Sequence, residues 1–168
     1  MMKTMIATLV ASSALGLSAL LPPPPKLVWN ASESVPIGLY AISPAGELKV
    51  TDLVLARPPE PLASFLAEGG YLPRGVPLLK RVAALPGQRV CREGLSVSVD
   101  GVPQAEARER DRFGRELPIW TGCRVVADGE VFLLNWDSPA SLDGRYFGPI
   151  PASSVVGRAA PVWVREEG

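Results

Sequence analysis

The sequence predicts a mainly β, antiparallel domain of ordinary size standing behind one N-terminal transmembrane helix. Three observations predict it. The 168 residues include 18 prolines and 16 glycines, which cut the chain into pieces too short for a helical bundle. The runs between those breakers are rich in Val, Leu, Ile and Tyr, which suit a pleated, half-buried surface. Near the start, Lys3 is followed by residues 5–21 without a single charge, and at 1.5 Å per residue that stretch spans about 25 Å, the lower edge of a hydrocarbon core.

Four prolines at 22–25 end that helix abruptly. Residues 1–25 are therefore read as a signal-anchor and stop, and residues 26–168 as the folded domain. A cleaved signal peptide is the competing reading, because Ala11, Ser12, Ser13 and Ala14 put small residues inside the run. The anchor is preferred because the prolines join directly to a segment that looks functional, which leaves little space for a cleavage site. With Lys3 held on the cytoplasmic side, the domain lies outside. That compartment is oxidising, and of the two choices for Cys91 and Cys123, a disulfide or two buried thiols, it favours the disulfide.

Along the domain, residues 37–42 and 50–57 read as strands joined as a hairpin through Pro44-Ala45-Gly46. Residues 61–68 form a short helix with proline in its first turn and Gly69-Gly70 ending it. Residues 78–85 are an apolar strand closed by Pro86-Gly87, and 95–102 alternate apolar and polar residues before turning at Asp100-Gly101. Residues 104–115 are a charged, exposed excursion. Residues 125–134, interrupted by Asp128-Gly129, and 155–164 supply the last strands. The stretch of about 92–122 is thus an inserted hairpin and loop between the two cysteines.

Charge and composition exclude several functions. Seventeen basic residues balance 17 acidic ones, so no cationic surplus is available for nucleic acid. Histidine is absent, which removes Ser-His-Asp and Cys-His triads and most zinc or haem ligation. No metal and no cofactor are expected. A catalytic base would have to be a lysine, carboxylate or thiol with a displaced pKa.

Three places could carry chemistry. In a period-2 strand Leu78, Lys80, Val82 and Ala84 share one face, which sets Lys80 in an apolar row, while Arg81 points the other way as a structural residue. Burial there would lower the pKa of the amine and let it take a proton from a serine; the alternative is a charged Lys80-Arg81 pair guarding an edge strand. The serine loop Asn30-Ala31-Ser32-Glu33-Ser34-Val35-Pro36 follows the anchor and, taken alone, reads as a linker. Residues 135–149 read as a polar turn in which Asp143 and Arg145 make a surface ion pair.

Taken jointly, these segments resemble the conserved boxes of the signal peptidase I superfamily. The serine loop comes first, then Lys80-Arg81-Val82 followed by Pro86-Gly87, then Ser141-Leu142-Asp143-Gly144-Arg145-Tyr146-Phe147-Gly148-Pro149. The pattern Ser34-Val35-Pro36-Ile37-Gly38-Leu39-Tyr40 after an asparagine is similar to the conjugative-transfer branch, the TraF peptidases, and so is Asp111-Arg112-Phe113-Gly114-Arg115-Glu116-Leu117-Pro118. The resemblance implies an antiparallel, barrel-like signal peptidase domain held in the bacterial inner membrane, single-pass, with its catalytic part in the periplasm. It implies Ser34 as nucleophile and Lys80 as general base, with the amine within bonding reach of the hydroxyl. Ser32 and the Ser34 backbone N–H would form the oxyanion hole, Ser141 would orient the lysine, and Asp143 with Arg145 would hold that loop. The substrate would be a membrane-inserted protein, a conjugative pilin precursor or related subunit. A general signal peptidase acting on many secreted proteins, and a non-catalytic periplasmic β adaptor, are the rival readings. Gly144 stands where ordinary signal peptidases often carry a second serine, and Asn135-Trp136-Asp137 replaces their usual Gly-Asp-Asn.

Overall fold

A computed structural model describes residues 26–165, so the expected anchor at residues 1–25 lies outside the described residues. Among those described, no helix is long and apolar enough to cross a membrane. The chain forms β1 (Leu27–Asn30), β2 (Gly38–Ser43), β3 (Leu53–Ala56), helix α1 (Leu62–Glu68) and β4 (Leu78–Ala84). It continues through β5 (Arg89–Glu93), β6 (Ser96–Val99), β7 (Val102–Glu106), β8 (Gly122–Val125), β9 (Glu130–Leu134), helix α2 (Gly144–Phe147), β10 (Ile150–Pro151) and β11 (Val155–Val164).

Two antiparallel sheets result, as the breaker-rich composition predicts: seven strands in the order β1-β2-β11-β3-β4-β9-β10, and four in the order β7-β6-β5-β8. The four-stranded sheet runs from Arg89 to Val125 and carries both cysteines in its strands, with Asp100-Gly101 turning between β6 and β7. Cys91 and Cys123 face one another across β5 and β8, with their sulfurs 2.08 Å apart. Cys123 is exposed and Cys91 half-buried, so a pair of buried thiols does not describe them.

The predicted hairpin of residues 37–42 with 50–57 is not formed. β11 lies between β2 and β3, its first half pairing with β3 and its second with β2. Glycines make that insertion sterically feasible: a Cβ at Gly38 would stand 2.1 Å from the Trp163 carbonyl oxygen, and one at Gly157 2.4 Å from that of Ser43. The Asp128-Gly129 turn likewise does not fold its flanking strands together, since β8 pairs with β5 whereas β9 pairs with β4. Strand β1, in a segment for which no strand is predicted from the sequence, pairs along its whole length with β2.

The large sheet is covered on both faces at its centre. Val54 packs with Leu62, Leu66, Val82 and Leu133 beneath α1, whereas the next residue, Leu55, packs with Val35, Tyr40 and Leu79 on the other side. Leu78 and Val82 therefore share a face with Lys80, as period 2 predicts, but Ala84 does not. A register shift between Val82 and Ala84 turns the end of β4 over, so that Ala84 joins Val90, Val97 and Phe132 in the core that links the two sheets.

Candidate active site

The loop between β1 and β2 is short and pinned from beneath. Asn30, which is buried, donates through Nδ2 to the carbonyls of Ser32 (2.8 Å), Val35 (3.0 Å) and Pro36 (3.2 Å), and its Oδ1 accepts from the Ser32 backbone N–H (3.2 Å). Tyr40 Oη donates to the Pro36 carbonyl at 2.6 Å, and Val35 is sunk into the core beside it. Ser34 is thereby presented, half-buried, from a fixed backbone. Ser32 Oγ donates to Asn30 Oδ1 at 2.9 Å and lies 3.1 Å from Ser34 Oγ. Because the single Ser32 hydroxyl proton is used on Asn30, Ser34 is the donor in the serine pair.

Lys80 lies on β4 between β3 and β9, in the interior of the sheet and not at its edge. Asn135 locks the strand there: its Oδ1 accepts from the Arg81 N–H (3.1 Å) and its Nδ2 donates to the Leu79 carbonyl (3.1 Å). Lys80 is 3% exposed, and its Nζ donates to Ser141 Oγ at 2.6 Å. Burial lowers the amine from its ordinary 10.5 to about 8, against the opposing pull of Asp143 and with a smaller push from Arg145. With that value the amine is still largely protonated at pH 7 and gives up its proton as the pH rises through about 8. Arg81 points away, its guanidinium over the Trp136 ring at 5.6 Å.

The loop that carries Ser141 is held by a buried ion pair, so Asp143 and Arg145 do not lie at the surface. Their side chains are 0% and 1% exposed. Arg145 donates Nε to Asp143 Oδ1 (2.9 Å) and Nη2 to Asp143 Oδ2 (2.8 Å), and it also reaches the carbonyls of Asn135 (3.0 Å) and Ser138 (2.7 Å). Asp143 in turn accepts the Asn135 and Arg145 backbone N–H groups, and caps α2. Burial pushes the Arg145 guanidinium down, but Asp143 outweighs it and the group stays above its usual value.

Ser32, Ser34, Lys80 and Ser141 all line one cleft of about 380 Å³ whose floor is apolar, with Leu66, Leu72, Leu78 and Leu142. Among the described residues no hydrogen bond joins Ser34 to Lys80: the hydroxyl is turned to Ser32 and the amine to Ser141. The direct contact expected from the sequence is therefore not made in this resting geometry, in which each group is held by its own serine. Cys91 and Cys123 are not among the residues lining the cleft. Among the described residues no group of three His, Cys, Asp or Glu side chains could hold a metal ion.

The family model described as signal peptidase, peptidase S26, matches residues 1–164. The chain belongs to that family. It is 41% identical over 143 residues to a probable conjugal transfer protein TraF of Sinorhizobium fredii, covering 79% of this chain and 74% of the relative. It is 32% identical over 142 residues to a plasmid transfer protein TraF of Escherichia coli, covering 79% and 80%. A signal peptidase I crystal structure from Enterococcus faecalis aligns with a TM-score of 0.43 at 21% identity, over 68% of this chain and 97% of that one.

Gly144, where other signal peptidases often have a serine, has a local cause in this chain. A Cβ there would stand 2.5 Å from the Phe132 ring and 2.7 Å from the Leu133 carbonyl. Gly144→Ser is therefore expected to destabilise the fold by about 1–3 kcal/mol through overpacking, read as a lower denaturant midpoint at unchanged slope. Three supporting residues escaped the sequence reading: Asn30 as a lock, Asn135 as a lock, and Arg92. Arg92 is 1% exposed and donates to the carbonyls of Arg145 (2.6 Å), Gly94 (3.2 Å) and Pro118 (3.3 Å), tying the small sheet to the back of the site. The first two have local sequence cues, since each opens a polar loop after an apolar run; Arg92 has none.

Proposed function

We propose that this chain is a membrane-tethered serine endopeptidase that processes the precursor of a conjugative pilin or related exported subunit. Ser34 Oγ attacks the scissile carbonyl while Lys80 Nζ takes its proton. The developing oxyanion is met by the Ser34 N–H and, once it turns from Asn30, by the Ser32 hydroxyl. Collapse of the tetrahedral intermediate returns the proton from Lys80 to the leaving amine, and water then releases the acyl group by the same path. For Lys80 to serve, the Ser34 hydroxyl must leave Ser32 and come within bonding reach of the amine. Ser141 keeps the amine aimed and Asp143 with Arg145 keeps Ser141 in place.

One observation carries the reading: an amine 3% exposed, bonded to Ser141, lines the same cleft as Ser34. The conjugal-transfer names of the relatives support the substrate class. The surface beside residue 26 supports the membrane setting, since Leu27, Trp29, Val162 and Trp163 are each more than half exposed and the two tryptophans stack at 5.8 Å. In the periplasm the Cys91–Cys123 bond closes a segment of sequence separation 32, worth about 4 kcal/mol by loop closure. Reductant is expected to lower the unfolding midpoint accordingly, and an unchanged midpoint with both thiols free would remove that role.

To test the function, the full chain in phospholipid vesicles is treated with a serine-acylating reagent and its peptides are weighed. Modification of Ser34 is expected; a folded protein left unmodified there would point to a non-catalytic adaptor. Substrate range separates the two enzymatic readings. Cleavage of ordinary secretory precursors as fast as of a conjugative pilin precursor would favour a general signal peptidase.

A further inference from the structure

The Asp111-Arg112-Phe113-Gly114-Arg115 motif has no part in the chemistry above, yet it is held by a dense set of hydrogen bonds. Asp111 is its hub. The carboxylate accepts the backbone N–H groups of Phe113 (2.8 Å) and Arg115 (2.9 Å), the Arg115 Nε (2.7 Å), and the Tyr71 hydroxyl (2.7 Å). Arg115 then crosses to the end of α1, donating to the Gly69 carbonyl at 2.8 Å and lying over the Tyr71 ring at 4.5 Å. The feet of the loop are equally fixed, for Ala107 and Leu117 are buried against Tyr146 behind the site. The loop is thus an arch, footed beside α2 and latched to the far bank at Tyr71. Asp111, Phe113 and Tyr71 all line the cleft that holds Ser34 and Lys80.

Phe113 is the exception to the packing. It is 66% exposed, while the guanidiniums of Arg112 and Arg115 lie 4.7 and 5.2 Å from its ring centre. An exposed phenyl ring whose backbone N–H is tied to the half-buried Asp111 is presented for contact, because apart from the two guanidiniums it joins no hydrophobic cluster of the described residues. Burial would raise the Asp111 carboxyl, but its hydrogen bonds from Tyr71 and Arg115 outweigh that and hold it well below the usual carboxylate range, so the hub keeps its charge at any working pH.

We infer that this arch is the specificity wall of the cleft: Phe113 grips an apolar side chain of the extended substrate, and Asp111 is the positioning residue that locks the wall across to Tyr71. The inference rests on the peptidase reading and deepens it. An apolar contact of this kind discriminates about tenfold or more between an apolar and a charged side chain.

The test uses the full chain in vesicles with short internally quenched peptides of randomised sequence, from which the best wild-type substrate is taken. Phe113→Ala is expected to raise KM about tenfold with kcat within about twofold, and Phe113→Leu to restore most of the loss. Asp111→Asn is expected to raise KM similarly although the phenyl ring is still present, because the wall is no longer latched. A Phe113→Ala KM within about twofold of wild type, or a fall in kcat at unchanged KM, overturns the inference. Failure of the underlying reading looks different: the wild-type protein itself would not be acylated at Ser34.

Discussion

Lys80→Met is expected to abolish processing and, at the same time, to make the protein more stable at pH 7. Loss of the general base proposed at Lys80 would cost about 10²–10⁴ in rate. Methionine keeps most of the length of the side chain in its apolar row, lacking only the terminal amine position, and removes the charge. In the wild type the folded protein holds the amine at about 8, against 10.5 when unrestrained, so below pH 8 the folded state carries a buried ammonium that the unfolded chain keeps in water. That difference of roughly 2.5 pKa units corresponds to a penalty of about 3 kcal/mol. Losing the bond to Ser141 Oγ returns about 1 kcal/mol, leaving Lys80→Met ahead by about 2 kcal/mol at pH 7. Between pH 8 and 10.5 the unfolded chain binds the proton that the folded chain has released, so wild-type stability rises with pH across that window and the advantage of the variant closes. In the wild type kcat/KM should climb to a plateau through about pH 8 as the amine becomes neutral. Denaturant unfolding at pH 7 and pH 10 measures the first effect. A variant less stable than wild type at pH 7 would mean that the amine is stabilised as a cation, and the general-base assignment would fall.

The second large effect is expected from the ion pair behind Ser141. Arg145→Met leaves the Asp143 carboxylate, 0% exposed, without its counter-charge and strips hydrogen bonds from the carbonyls of Asn135 and Ser138. Breaking one side of a buried pair costs about 3–5 kcal/mol. Asp143→Asn should cost a similar amount, because it also weakens the cap of α2 and the bond to the Asn135 N–H. The double variant should lose clearly less than the sum, since neither charge is then stranded. Single variants within about 1 kcal/mol of wild type would show that water reaches the pair, and the loop bearing Ser141 would need another anchor. Activity should fall further than stability alone explains, because Ser141 would no longer hold the amine.

Much of this site could be read along the chain because its parts are local in sequence. Ser32 and Ser34 share one loop pinned by Asn30, and Asp143 sits two residues from both Ser141 and Arg145, so residue spacing already implies their proximity. The apolar row around Lys80 follows from a period of two over Leu78 to Val82. Composition determined the class of fold, since prolines and glycines at this density leave only short strands, and the lack of histidine confined the choice of base.

Tertiary structure decided the rest, because it depends on contacts between residues far apart in sequence. Whether Lys80 was an edge guard or a buried amine could not be settled on β4 itself; it follows from β3 and β9 flanking that strand and from cover on both faces of the sheet. Asp143 and Arg145 look like a surface pair until Arg92, more than fifty residues away, is found closing over them from the small sheet. The failed hairpin of β2 with β3 has the same origin: a strand from the C-terminal end takes the place between them, and no turn rule contains that information. Local preferences set which segments can be strands and which side chains can react. Long-range pairing sets which of those side chains lose their water, and it is that loss which moves the pKa of Lys80.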